Sequence, residues 1–170
     1  MVRVYKKDTM RIDVAQEVAK LYLMERDYKN AQRPYKTVLY LRRIYGVNVY
    51  DSETLRMAFV WDQLGDKKQG AQFLQDFKGY ADRDKTIYRH MNLAVYHAYR
   101  GETELFAKEY RAFLDENSNF HYWVMLLPLE PYMDKVKDTP EFKALYKEME
   151  EDFWENNREI RKLMERKKLL

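Results

Sequence analysis

The chain is 170 residues long, enough for one domain or one compact repeat array with a sizeable core. Hydrophobic residues make up 46% and charged residues 35%, which excludes an intrinsically disordered chain; with no cysteine at all, disulfides, thiolate catalysis and Cys-ligated metals are excluded too, and a reducing, cytoplasmic compartment fits. The net charge is only +3 but uneven: residues 1–50 hold 11 Lys/Arg against 5 Asp/Glu, residues 101–157 hold 6 against 14, and the last 13 residues hold 6 against 2. That bias is too local for a dedicated nucleic-acid binder.

Five glycines and four prolines are few for this length and favour helices over turn-rich β structure. The N-terminal MVRVYKKDTMRIDV is charged throughout and does not read as a signal peptide; residues 1–10 read as an extension. From Arg11 the apolar residues Ile12, Ala15, Val18, Ala19 and Tyr22 fall at three- and four-residue steps, one face of a helix. Asp27 can cap a second helix, about Tyr28 to Tyr45, carrying Ala31, Tyr35, Val38, Leu39 and Leu41. Pro34 lies inside it, so a late start near Asn30 or a kink is expected there. Gly46 ends that helix, VNVYD connects, and Asp51 or Ser52 caps a third with Leu55, Ala58, Phe59 and Trp61.

Gly65 turns the chain, Asp66 with Gln69 starts a fourth helix in the manner of a capping box, and Phe73, Leu74, Phe77 and Tyr80 form its face. Asp84 is expected to cap a fifth, with Met91, Leu93, Ala94 and His97. Gly101 turns into a sixth, with Leu105, Phe106, Tyr110, Phe113 and Leu114, and Asn117-Ser118-Asn119 reads as a stop. Beyond it, FHYWVMLL reads as a short apolar helix, and the prolines at 128, 131 and 140 bracket a linker. Thr139-Pro140-Glu141 starts a last helix running to about Lys168. The longest uncharged run, Asn117 to Leu129, is too short to span a bilayer, which needs about 20 apolar residues.

The helices repeat in pairs. Gly65 and Gly101 are 36 residues apart, and Ala31, Gly70 and Phe106 hold equivalent places on the second helix of each pair. With Val18, Ala19, Tyr22, Tyr35 and Val38 in the first pair, Met57, Ala58, Trp61, Leu74 and Phe77 in the second, and Leu93, Ala94, His97, Tyr110 and Phe113 in the third, residues 11–117 resemble a degenerate tetratricopeptide repeat array. The departures are spacings above the family's ~34, missing terminal prolines and Phe106 at a small-residue position. The resemblance implies an all-α superhelix of three hairpins, closed by residues 118–170. The phrase PYMDKVKDTPEFKALYKEM is similar to tails that close such arrays in some bacterial signalling and regulatory proteins.

Chemistry is scarce. His90 and His97 lie seven apart without a third ligand at suitable spacing, so packing is the better reading, and His121 reads as a lone buried histidine. The acids Glu148, Glu150, Glu151, Asp152 and Glu155 read as a solvated face, since an acid–base pair needs a pocket that separates the two pKa values. There is no Gly-rich phosphate loop and no GxSxG. No enzyme activity and no cofactor are expected.

What remains is a surface. In the family that the repeats resemble, the first helix of each pair lines a concave groove for a peptide or protein. By that likeness the groove residues here are Asp13, Gln16, Lys20, Ser52, Leu55, Arg56, Phe59, Asp62, Tyr88, Met91, Asn92 and Val95. Gln16 and Tyr88 stand where chaperone-tail binders of the family carry cations, so a carboxylate clamp of that kind is not implied. The function expected is a non-catalytic protein-interaction module, for scaffolding, docking or sensing. The alternative is a nucleic-acid-associated regulator using Arg42, Arg43 and the basic tail. Ile160, Leu163 and Met164 extend the apolar stripe of the last helix and suggest a homodimer through it.

Overall fold

Side-chain caps set three of the α-helix starts in the computed structural model, which describes residues 1–117 and 120–169. Asp27 accepts from the Asn30 amide at 3.1 Å, Asp66 from the Gln69 amide at 3.1 Å and Thr139 from the Phe142 amide at 3.2 Å. Each satisfies a donor that the first turn leaves without a partner. The resulting helices are α1 (Val2–Lys7), α2 (Ile12–Met24), α3 (Tyr28–Tyr45), α4 (Glu53–Gln63), α5 (Lys67–Arg83), α6 (Arg89–Arg100), α7 (Thr103–Glu116) and α8 (Pro140–Arg166), with 3-10 helices at Tyr122–Leu129 and Pro131–Met133. No strand occurs among the described residues. The fold is all-α. The chain divides into two compact units, Met1–Asp84 and Lys85–Leu170.

The first unit holds α1 and the hairpins α2–α3 and α4–α5. Ala15, Val18, Ala19, Leu23, Ala31, Tyr35, Val38 and Leu41 are fully buried, as their helical spacing predicts. The N-terminal extension is itself structured: α1 packs on α2, and the Tyr5 hydroxyl shares a 2.9 Å hydrogen bond with that of Thr37. In the second hairpin the backbones come close. A Cβ on Gly70 would lie 3.1 Å from the Ala58 carbonyl oxygen and 3.2 Å from the Asp62 nitrogen. Ala58 is fully buried, and Trp61 meets Phe73 edge-on with centroids 5.3 Å apart.

The second unit holds the hairpin α6–α7, the two 3-10 helices and α8. Gly101 takes φ +76°, a left-handed turn where a side chain would be strained and would also meet Lys135 at 3.1 Å. Phe106 and Tyr110 of α7 pack against Phe142 of α8, with centroids 5.9 and 6.3 Å apart. The Tyr110 hydroxyl faces Met149 Sδ at 2.9 Å, and burial pushes that phenol far above its ordinary pKa. Arg111 forks onto Glu148 at 2.6 and 2.7 Å, which holds the carboxyl below its usual range. That lowered pKa means its contribution is present at neutral pH and fades as pH falls through the folded value. Both side chains are over two-fifths exposed, so the pair stabilises by about 1 kcal/mol at most.

Several expectations are corrected. Helix α3 starts at Tyr28, before Pro34, because Asp27 caps it; the proline removes one backbone donor without delaying the start. Asp84 does not cap a following helix. It ends α5 and is buried, while α6 begins at Arg89. Ser52, one of the two residues expected there, is the N-cap residue of α4 but makes no side-chain capping hydrogen bond. The apolar run after residue 120 is a 3-10 helix, and the proline-bracketed segment is no loose linker: Pro131, Tyr132, Met133 and Val136 are buried. Of the expected Asn117-Ser118-Asn119 stop, residues 118 and 119 lie outside the described residues. The last helix spans 27 residues, about 40 Å.

The α4–α5 approach leaves no room for a longer side chain. Ala58→Leu is expected to destabilise the protein by about 1–3 kcal/mol, read as a shift of the urea midpoint with helical circular dichroism.

Candidate functional site

Glu53 opens α4 and turns inward; only 3% of the residue is exposed. Three helices deliver donors to it. Gln16 Nε2 of α2 donates to Oε1 at 2.9 Å, the Tyr35 hydroxyl of α3 donates to Oε2 at 3.0 Å, and Arg56 Nη1 of α4 donates to Oε1 at 2.5 Å. Arg56 lies one helical turn beyond Glu53, so the ion pair forms within α4, and its side chain is 11% exposed. A carboxylate removed from water in this way needs both its countercharge and its hydrogen bonds. This cluster supplies both from inside the first unit.

The arrangement corrects part of the expected groove. Gln16 and Arg56 are brought together, but on Glu53 and out of solvent. Leu55, Met91, Asn92 and Val95 are also buried, as are all five residues from Met91 to Val95. The physical reason is the width of the apolar arc. An amphipathic helix leaves one face to water, whereas MNLAV in α6 and LRMAFVW in α4 are apolar nearly all round and become enclosed.

The remaining candidates keep some exposure, mostly with partners of their own. Asp13 pairs with Arg11, Lys20 with Glu17 at 2.8 Å, and Asp62 with Lys67 at 2.9 Å. Phe59 is half-buried and meets Tyr28 edge-on at 5.8 Å, and Ser52 is exposed. In the second unit Tyr88 stacks on Phe113, tilts against Trp123 and accepts a hydrogen bond from the His121 amide at 2.9 Å.

His90 and His97 are half-buried, each with an acid beside it. His90 Nδ1 is 2.7 Å from Glu109, and His97 Nδ1 is 2.7 Å from Glu102. These acids come from α7 and from the turn after Gly101, so spacing along α6 could not show them. His121 is exposed, contrary to the buried position expected, because it precedes the 3-10 helix and caps it by accepting from the Trp123 amide. Among the described residues no three His, Asp or Glu side chains gather in a way that could hold a metal ion.

Sequence reasoning missed a surface at the end of α3. Tyr40, Ile44 and Tyr45 of its last turns and Val47, Val49 and Tyr50 of the connector are all exposed, Tyr40 at 53% and Tyr45 at 60%. Arg42 donates to the Tyr50 carbonyl and so folds the connector back along the helix end. Tyr50 takes φ +58°, a left-handed conformation unusual for a large side chain. The Arg42 guanidinium is largely buried, which draws its pKa below the ordinary value, and its Nε has no hydrogen-bond partner. Lys36 and Arg43 remain exposed on α3. One signal was present: Tyr40 and Ile44 are an i, i+4 apolar pair off the Val38–Leu41 face.

Two open clefts complete the picture. One of about 450 Å³ lies in the first unit between α1 and the first hairpin, lined by Tyr5, Tyr22, Asn30 and Pro34, with Lys6 and Arg33 among its lining residues. The other, of about 360 Å³, lies in the second unit against α8, lined by Tyr88, Phe120, His121, Phe153, Asn156, Asn157 and Ile160. Among the described residues no helix is long and apolar enough to cross a membrane.

The Glu53 cluster makes Arg56 structural. Arg56→Ala should cost about 3–5 kcal/mol of stability, because it strands a buried carboxylate, while Glu53→Gln should cost less than Glu53→Ala. Urea unfolding of the three variants measures this, and an unchanged midpoint for Arg56→Ala would return that residue to the solvent face. No family model matches the chain, and no curated protein and no solved structure matches it either.

Proposed function

We propose that this chain is a non-catalytic, helical-repeat interaction module that docks another protein through the exposed end of its first hairpin. The observation that carries this reading is the patch of Tyr40, Ile44, Tyr45, Val47, Val49 and Tyr50, held in place by Arg42 and accompanied by Lys36 and Arg43. Exposed aromatic and aliphatic groups grouped beside cations fit a partner segment that carries apolar anchors among acidic residues. Of the residues expected from the tetratricopeptide likeness, this reading keeps only the less buried ones of the first unit, Asp13, Lys20, Ser52, Phe59 and Asp62.

The C-terminal likeness supports a scaffold or sensory role in a bacterial signalling or regulatory system, and the cysteine-free composition supports a cytoplasmic setting. A second copy of the chain, engaged through α8, is the other partner this reading includes. The nucleic-acid alternative is weakened because Arg42, one of its two clustered cations, is half-buried and already bonded to the Tyr50 carbonyl.

Selection of binders from a displayed peptide library tests the reading. Enriched peptides should combine acidic and apolar residues, and Tyr45→Ala or Ile44→Asp should weaken them roughly thirtyfold or more, the scale of an aromatic hot spot, with little change in melting. Loss of binding on Lys20→Ala or Phe59→Ala, with the α3 variants unaffected, would move the site to the groove. Salt-sensitive binding of short duplex DNA with affinity lost on Arg43→Ala would favour the nucleic-acid reading.

A further inference from the structure

We propose that the distal half of α8 is a self-docking surface on which two copies of this chain pair antiparallel, each seating its C-terminal stripe on the other's cleft beside Phe153. The proposal rests on the self-association reading above and adds the face, the direction and the seat.

The face comes from helical register. Phe142, Leu145 and Met149 lie on one side of α8 and are buried in the second unit. Phe153, Ile160 and Met164 continue that side at four- and seven-residue steps. Yet Ile160 and Leu163 are 52% and 44% exposed. The stripe that closes the second unit therefore runs on past its cover. The cleft of about 360 Å³ sits where cover ends, with Tyr88, Phe120 and Phe153 on its inner side and Asn156, Asn157 and Ile160 along α8. Its lining is aromatic and amide, suited to apolar side chains with a few polar contacts at the edge.

The direction comes from charge order along the same helix. Glu148, Glu150, Glu151, Asp152 and Glu155 precede the break at Asn156-Asn157; Arg158, Arg161, Lys162 and Arg166 follow it, with Lys167 and Lys168 just past the helix end, against only Glu159 and Glu165. Parallel pairing would set acid against acid and base against base. Antiparallel pairing centred at Glu159 sets Asp152 opposite Arg166, since both lie on α8 at equal steps from Glu159, and brings the Lys167-Lys168 end of one copy, just past its helix, to the Glu150-Glu151 stretch of the other. In that register Leu163 and Met164 of one copy reach Asn156 and Phe153 of the other, along the wall of the cleft. A second copy brings both the apolar stripe and the matching charge sequence. The contact is the same on both sides, so it closes as a two-fold dimer.

Sedimentation of the full chain at low and high salt tests this. The wild type should dimerise, less tightly at high salt. Arg166→Glu with Lys168→Glu should weaken the dimer at least about tenfold, and adding Glu150→Lys with Asp152→Lys to the same chain should restore it. None of the four positions is buried, three lying on α8 and Lys168 just past its end, so unchanged circular dichroism will show that folding is retained. Because the chain has no cysteine, Ile160→Cys should give disulfide-linked dimers on mild oxidation, whereas Ser52→Cys should not. A monomeric wild type at high concentration overturns self-association and this proposal together. A dimer that ignores the charge reversal and is not cross-linked through position 160 overturns the antiparallel seating alone, and leaves self-association and the α3 docking surface standing.

Discussion

The first unit depends on a carboxylate that cannot reach water. Glu53 starts α4 with its side chain turned inward, and it is met there by Gln16 from α2, Tyr35 from α3 and Arg56 from its own helix. Apolar contacts alone allow helices to slide and roll at small expense. Hydrogen bonds to a buried charge do not, because any displacement leaves the carboxylate without a partner. One side chain therefore fixes the register of α4 against the first hairpin. The close approach inside the second hairpin, where Gly70 lies against the Ala58 and Asp62 backbone, then places α5.

The second unit is held by different means. Aromatic rings join its elements: Phe106, Tyr110, Phe142 and Tyr146 form a chain of contacts between α7 and α8, and Phe113 meets Phe120 and Tyr88. Edge-on and tilted rings bury large areas while tolerating irregular backbone, which suits a unit built partly from 3-10 turns. Polar tips remain satisfied at the margin, as where the Tyr146 hydroxyl donates to the Met125 carbonyl. Helix α8 begins as the lid of this core and ends as a half-covered amphipathic rod.

These two constructions explain why the polar residues that first suggest a binding groove offer so little to a partner. Gln16 and Arg56 are already engaged by Glu53, and Lys20 and Asp62 by acids and bases of their own unit. Exposed apolar side chains gather instead at the end of α3 and along the far half of α8. Recognition by such surfaces draws on burial and shape, with nearby charges setting partner preference and direction.

Much of the fold was legible in the sequence. The helical periodicity, the caps at Asp27, Asp66 and Thr139 and the glycine turns at 65 and 101 are local features. A cap or a left-handed glycine acts within one or two turns of chain, so its residues sit side by side in sequence. The fate of Arg56 was decided elsewhere. Its partner Glu53 is a neighbour, but the burial of that pair depends on Gln16 and Tyr35, far off along the chain and one helix away in space. The same holds for the packed segment around Tyr132, read as a linker because its prolines are local and its cover is not, and for His90 beside Glu109. Sequence by itself determined the capped starts after Asp27, Asp66 and Thr139 and the turns at Gly65 and Gly101, because those choices are settled by short-range hydrogen bonds and backbone conformation. Only the tertiary structure decided which side chains face water, because burial is a property of what the rest of the chain brings against them.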